Sequence, residues 1–394
     1  MTTATTQQQL EHHFEQVKQH PFLAPLYTPG QTYQQAQPID KAQLATLIEQ
    51  NFDLRQESRG VYLVRSGGST QAPLVFPVDI QENHAQRAVL AQAFQDHGII
   101  TSGDVVLNLF SYFNMYRTAA IYDDLCERCD ATTLAMNAGT PNPRVYDIAR
   151  QYQPQVLLGY PSRLARCAEY LKQAGMSMDI PRLKFGGEFL LPSQQALFAE
   201  VFNTKAIFST YGAAEVGIFA WSRHSETPSL FHVLPGILVE IHQPNDQGYG
   251  DILVTNLYRQ RFPLFRYSLG DVGRWVNDHG QPLLELAARH DKSFYLDSNN
   301  YALSDFAVIT QGAEAFQLQL QIIDNARIML TFLIVRDLPK AQHSSWLDTA
   351  TQQIKQIIEF DPKMMQLELR LVAHKDLYMD PETQKVPQIL DLRQ

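Results

Sequence analysis

Two short runs, Tyr211-Gly212-Ala213-Ala214-Glu215 and Arg266-Tyr267-Ser268-Leu269-Gly270-Asp271, contain the residue types needed to hold a magnesium nucleotide. The apolar stretch Lys205-Ala206-Ile207-Phe208 predicts a strand that carries the first run to the edge of a sheet. There Gly212, with Ala213 beside it, would let the backbone approach a flat ligand, and Tyr211 would stack on a purine. Glu215 offers hard carboxylate oxygens to Mg²⁺, which takes one or two carboxylates and completes its shell with phosphate and water. Asp271, directly after a glycine, has the acceptor pair that suits a ribose diol.

Three further blocks extend this reading. Arg65 is followed by Ser66-Gly67-Gly68-Ser69-Thr70-Gln71-Ala72-Pro73, a loop between two apolar stretches whose backbone N–H groups and hydroxyls can wrap phosphate oxygens. Gly186-Gly187-Glu188 precedes the Tyr-Gly run, and Ala288-Arg289-His290-Asp291 follows the Arg-Tyr run. Arg266 has two readings, a phosphate contact or a structural ion pair.

In this order the five blocks resemble the adenylate-forming superfamily of acyl-CoA synthetases and nonribosomal-peptide adenylation enzymes. Gly186-Gly187-Glu188 ahead of the Tyr-Gly run, the segment Leu158-Gly159-Tyr160-Pro161-Ser162 and the length of 394 residues point within it to the phenylacetate-CoA ligase-like branch. The chain is also similar to the small adenylating enzymes of phenazine antibiotic biosynthesis. The resemblance implies activation of a carboxylic acid, expected to be aromatic, by ATP and Mg²⁺ as an acyl-adenylate with release of pyrophosphate. Transfer to coenzyme A or to a small biosynthetic acceptor would follow, and a homodimer is a candidate assembly.

The resemblance also implies roles for single residues. Lys385, in Thr383-Gln384-Lys385-Val386, aligns with the mobile lysine that bridges the acid and the α-phosphate. Arg289 would reach the ribose, Asp291 would be the hinge, and Gly187 and Glu188 would belong to the nucleotide site. Phe110, Tyr112, Phe113 and Tyr160 are aromatics beside strand ends that would line an acyl pocket or belong to the core. Two positions depart from the family pattern. Gln71 and Ala72 stand where Gly-Lys commonly closes the phosphate loop, and Gln384 stands where a glycine often precedes the lysine. The alternative reading is therefore a catalytically weakened adenylate-binding protein with a sensing or scaffolding role.

The elements that must position these residues follow from periodicity. Apolar stretches at 105–110, 155–158 and 206–208 alternate with helical patterns such as 81–97, which predicts a layered α/β domain with ligands at the carboxyl ends of parallel strands. From Phe231 to Trp275 the pattern turns β-rich and suggests a small barrel-like subdomain. The strictly alternating Phe316 to Ile322, the apolar run Ile328 to Val335, an amphipathic stretch 346–358 and Leu367 to Val372 form a small α+β unit. The expected division is 1–290 and 292–394, the second part a lid turning on Asp291.

Composition excludes other classes. A 45% hydrophobic and 19% charged chain is globular. With 32 basic against 41 acidic residues, a net charge of −9 and no basic cluster, nucleic-acid binding is not expected. No apolar run approaches a membrane span, and the first residues lack the basic start and apolar stretch of a signal peptide, so the expected location is cytoplasmic. Cys126 and Cys129 have redox or metal spacing but lie in a helix-like stretch without partners near in sequence, and the twelve histidines show no ligand spacing.

Overall fold

The computed structural model describes residues 4–65, 74–112, 115–188, 190–227, 229–286, 293–296, 299–323, 327–358, 360–362, 365–381 and 384–393. Two helices, α1 (Ala4–Val17) and α2 (Lys41–Asn51), lead in. Asp40 caps α2, accepting from the Gln43 N–H at 2.8 Å while the Gln43 side chain accepts from the Asp40 N–H at 3.0 Å. The arms of the phosphate loop, β1 (Val61–Arg65) and β2 (Val75–Asp79), pair antiparallel. The loop itself, Ser66 to Pro73, lies outside the described residues. Asp79 then caps α3 (Ile80–Asp96) through the N–H groups of Gln81 and Glu82, and the same carboxylate pairs with Arg59 and Arg261.

One sheet organises most of the rest. Its strands are β3 (Val105–Asn108), β4 (Thr132–Ala135), β5 (Val156–Gly159), β6 (Arg182–Gly186), β7 (Ala206–Ala213), β8 (Gly217–Ser222), β9 (Leu230–Val233), β10 (Ile237–His242), β11 (Gly250–Asn256), β12 (Leu264–Asp278) and β13 (Gln281–Leu286). They lie side by side in the order β10-β11-β12-β13-β9-β8-β7-β6-β5-β3-β4. From β4 to β7 the pairings are parallel, joined by α4 (Thr118–Arg128), α5 (Asn142–Tyr152), α6 (Pro161–Gln173) and α7 (Pro192–Phe202), as the alternating pattern predicts. A proline opens α6 and α7, where the missing N–H costs nothing. The chain leaves β3, pairs on one side as β4 and returns on the other as β5, so a crevice opens at the carboxyl ends of these strands. Phe110, Tyr160 and Gly187 stand just past the ends of β3, β5 and β6.

Two expectations need correction. The Tyr-Gly run is not on an edge strand: Tyr211, Gly212 and Ala213 are the last residues of β7, a central strand that pairs with β6 as far as Thr210 and with β8 through Ala213. Gly212 is required there because a Cβ would strike the Gly217 carbonyl across the β7–β8 hairpin. The β-rich stretch does not separate either. Because β9 pairs with both β8 and β13, these strands continue the large sheet instead of closing on themselves.

The C-terminal part begins with β14 (Ser293–Leu296), β15 (Asn299–Ala302) and α8 (Ala307–Thr310). It is built on a second sheet in the order β18-β17-β16-β19, from β16 (Ala315–Ile323), β17 (Arg327–Val335), β18 (Met365–Leu371) and β19 (Ile389–Asp391), with α9 (His343–Ile357) packed on it. Phe316, Leu318 and Leu320 alternate into a core with Leu330, Phe332 and Ile334 of β17 and Ala350 and Ile354 of α9. The result is a mixed α/β protein with a large sheet and a smaller α+β region, the fold class the sequence predicts. Among the described residues no helix is long and apolar enough to cross a membrane. Cys126 and Cys129 are free and buried at the end of α4, and burial pushes their thiols up to about 12 and about 11. They therefore stay protonated and pack as core residues.

Candidate active site

The strand ends place a lysine from the C-terminal sheet over the crevice of the large one. Lys385 lies in the segment before β19, and its Nζ donates to the Tyr116 hydroxyl at 2.7 Å and to the Gly187 carbonyl at 3.4 Å. The same ammonium sits 4.7 Å from the Tyr160 ring centroid and 5.2 Å from that of Tyr116. Burial alone would lower its pKa. Tyr116, Tyr160 and Glu188 outweigh that and raise it, so Lys385 is charged. Gly187 makes room: its φ is +76°, and a Cβ there would lie 2.8 Å from the lysine Nζ.

The segment carrying Lys385 is clamped. Gln317 on β16 is fully buried and spends its amide on this segment, donating to the Tyr378 and Pro387 carbonyls at 3.0 Å and accepting from the Tyr378 N–H at 3.1 Å. Gln384, next to the lysine, has φ 60°, the left-handed region in which a glycine is unstrained. The conformation is thus the one that favours the glycine expected at that position, and Gln384 holds it at a cost in strain. The Gln384 carbonyl accepts from Arg166 on α6 at 3.4 Å.

Beneath Lys385, Glu188 accepts from both the N–H and the hydroxyl of Ser162, each at 2.8 Å, at the start of α6. Burial raises this carboxyl, while Ser162, Lys385 and Arg166 work against it. Phe110 is buried, stacked 4.5 Å from Tyr122 and edge-on 4.9 Å from Tyr160. Tyr112 is exposed (58%), and Phe113 lies outside the described residues.

The two runs that carry the nucleotide reading meet. Tyr211 donates its hydroxyl to Asp271 Oδ2 at 2.5 Å, and its ring packs against Phe219 and Phe231. Glu215 is 4% exposed and hydrogen-bonded to the Tyr267 hydroxyl. Burial raises its pKa, Lys41 attracts it from a distance, and among the described residues no ion pair neutralises it. A buried carboxylate in that position fits a divalent cation, which would supply the missing positive charge. Arg266 has other work. Its backbone is at φ 49°, its Nε lies 3.2 Å from Glu240, and its Nη1 donates to the carbonyls of Tyr33 and Ala36, fastening the N-terminal segment to β12. Arg289 and Asp291 lie outside the described residues.

No family model matches the chain. It is 28% identical over 222 residues to indoleacetate–lysine synthetase of Pseudomonas savastanoi, a match covering 53% of this chain and 52% of that protein. The match thus spans about half the length of the curated relative. The structure of 2-hydroxyisobutyryl-CoA ligase in the postadenylation state, in complex with R3-HIB-AMP, superposes with a TM-score of 0.73 at 17% identity, covering 98% of this chain and 89% of that one. The chain has the adenylate-forming ligase fold. An open conformation of the same ligase, in complex with 2-HIB-AMP and CoA, superposes less well, with a TM-score of 0.60 at 16% identity over 98% of this chain and 90% of that one.

Sequence reading overlooked one side chain in this fold. Lys184 on β6 is fully buried, its Nζ donating to the Tyr122 hydroxyl and lying 4.9 Å from the Phe110 ring, while Tyr122 and Thr210 share a 2.9 Å hydrogen bond. Burial lowers its pKa well below the ordinary lysine value. Its strand reads Arg182-Leu183-Lys184-Phe185-Gly186, too charged to mark a buried segment, so no sequence signal could have found it. Lys184→Met keeps the stem, removes the amine and leaves the Tyr122–Thr210 bond in place. Urea unfolding is expected to find the variant as stable as the parent, or more stable by up to about 1 kcal/mol. A loss above about 2 kcal/mol would instead show that the amine is a satisfied structural group.

Proposed function

We propose that the chain is an ATP- and Mg²⁺-dependent ligase that activates a carboxylic acid, most suitably an aromatic one, as its acyl-adenylate. The acyl group then passes to coenzyme A or to a small acceptor. The observation that carries this reading is Lys385, held from the C-terminal sheet against Gly187, Tyr116 and Tyr160 of the large domain. A carboxylate is a poor electrophile until its oxygen is joined to a good leaving group. In the proposed step that oxygen attacks the α-phosphorus of ATP and pyrophosphate departs, which demands positioning and charge neutralisation more than covalent help.

Each residue is assigned a role in this proposal. Lys385 bridges the acid and the α-phosphate, and Gly187 gives it access. Tyr211 orients Asp271 toward the ribose diol. Glu215 would hold Mg²⁺, which when bound neutralises phosphate charge. The loop from Ser66 to Thr70 would take the phosphates, and Arg289 the ribose. Phe110 and Tyr160 would form the wall against which the acid's apolar body lies, whereas Arg266 is assigned a structural role on its observed partners. Residues 292–394 act as a lid hinged at Asp291. A cytoplasmic location, where ATP is available, is part of the proposal.

The curated relative's name pairs an aryl acid with an amine, which supports including lysine and other amines among the acceptors tested. The deciding experiment is ATP–pyrophosphate exchange across a panel of aryl and alkyl acids, followed by mass spectrometry of reactions supplied with coenzyme A or amines. Acid-dependent exchange and an acyl-adenylate mass are expected. ATP binding without exchange for any acid would overturn the ligase reading in favour of an adenylate-binding protein.

A further inference from the structure

The contacts between the C-terminal region and α6 include one whose strength depends on a proton. His374 lies in the turn after β18, and its Nε2 is 2.5 Å from Glu169 Oε1 on α6 and 3.7 Å from Glu314 Oε2, just before β16. The three ligand atoms lie within 4.8 Å of one another. Such a trio invites a metal, but two ligands of one tetrahedral zinc stand about 3.4 Å apart when each is about 2.1 Å from the ion. The His374–Glu169 separation is instead that of a close ion pair.

We propose that His374 and Glu169 form a proton-dependent latch that holds the lid on the large domain in the arrangement that presents Lys385 to the site. The proposal rests on the reading of residues 292–394 as a lid. Glu314 travels with His374, whereas Glu169 belongs to the other side, so only the Glu169 contact is broken when the lid swings away. The same helix touches the lid once more, through Arg166 and the Gln384 carbonyl beside Lys385. Ser193 at the start of α7 completes this junction, donating to the Ala313 carbonyl at 2.5 Å. Loss of the latch is thereby coupled to the position of the lysine.

The charged groups around His374 come from each neighbouring element. On α6 these are Glu169, Arg166, which interacts with it, and Lys172, which attracts Glu314. From the segment before β16 comes Glu314 itself, and the histidine's own turn adds Lys375 and Asp376, the latter accepting from the Ala373 N–H. Burial would lower the histidine, but the two glutamates prevail and raise it from 6.5 to about 9. A raised pKa gives a contribution fully present below the ordinary value and lost as pH rises through the latched one. The latched-to-released ratio therefore falls as pH rises from 6.5 to about 9, by at most about 300-fold, since Glu314 stays with the histidine after release. High pH loosens the lid.

The test reads lid position directly. The three native cysteines are buried, so cysteines introduced at the exposed positions Tyr152 on α5 and Ile322 on β16 can be labelled selectively with a fluorescence-transfer pair. In the full chain, transfer is expected to change with a midpoint between pH 6.5 and 9. His374→Gln and Glu169→Gln should each flatten that titration. The second substitution leaves the lid untouched, so it decides the matter if the first misfolds. A flat wild-type response, or variants that titrate like the wild type, would overturn the latch. A titrating signal that both variants abolish, in a protein without pyrophosphate exchange, would uphold the latch and remove the ligase reading. Robust exchange with a flat signal would remove the latch alone.

Discussion

Lys385→Ala is expected to lower acid-dependent pyrophosphate exchange about 100- to 1,000-fold, the loss that follows removal of one preorganised charge from a transition state. ATP binding should survive, because Tyr211, Asp271 and Glu215, the groups proposed to hold the nucleotide and its metal, lie on or beside the large sheet. The structure makes the variant interpretable. Lys385 is the group that reaches from the C-terminal sheet to Tyr116 and Gly187, and its segment is held independently by Gln317, so truncating the side chain leaves the clamp intact. Gly187→Ala probes the same contact from the opposite side: the new Cβ would lie 2.8 Å from Nζ at a φ of +76°. It should reduce exchange while Lys385 itself is unchanged. Equilibrium binding of ATP and exchange measured on the same preparations check both. Unimpaired exchange in Lys385→Ala would refute the assigned role.

The parts of this fold that local pattern controls were legible. The strands β3, β5 and β7 and the helix α3 follow apolar periodicity, whereas β4 and β6 carry too few apolar residues to be marked by it, and the fold class follows from the alternation that was visible. Pairing decisions made across long separations were not. Nothing within 231–275 reveals that β9 finds partners on both sides, and that choice turns an expected barrel into an extension of the sheet. The site shows the same division. Glycines and carboxylates in short runs could be picked out because their chemistry is local. Gln317 could not, because on an alternating strand a glutamine reads as the solvent face, and only the Tyr378 and Pro387 carbonyls, distant in sequence, cover it. His374, Glu169 and Glu314 come from three distant segments, so their meeting leaves no spacing to read. Arg266 was open between phosphate and ion pair, and Glu240 with two N-terminal carbonyls now engages it.

Glu215→Gln is expected to have the second-largest effect, a fall in exchange of about 100-fold together with a higher Mg²⁺ requirement. Gln is nearly isosteric and can still hydrogen-bond the Tyr267 hydroxyl, so the packing around position 215 persists. The native carboxylate is buried and its pKa is raised by that burial, so its charge is a cost to the fold when no cation is bound. Replacing it should therefore leave the unfolding midpoint unchanged or higher in metal-free buffer. In the wild type, added Mg²⁺ should raise the thermal midpoint in the presence of ATP, and the variant should lose that increment. The pH sign is fixed by the same shift. A carboxyl with a raised pKa begins to protonate at a higher pH than an exposed one, so Mg²⁺-dependent exchange should decline earlier on acidification than the titration of an ordinary glutamate would dictate. Exchange assayed across Mg²⁺ concentration and pH, beside thermal unfolding with and without the metal, measures every term. A variant with normal exchange and an unchanged Mg²⁺ increment would show that the cation is held elsewhere.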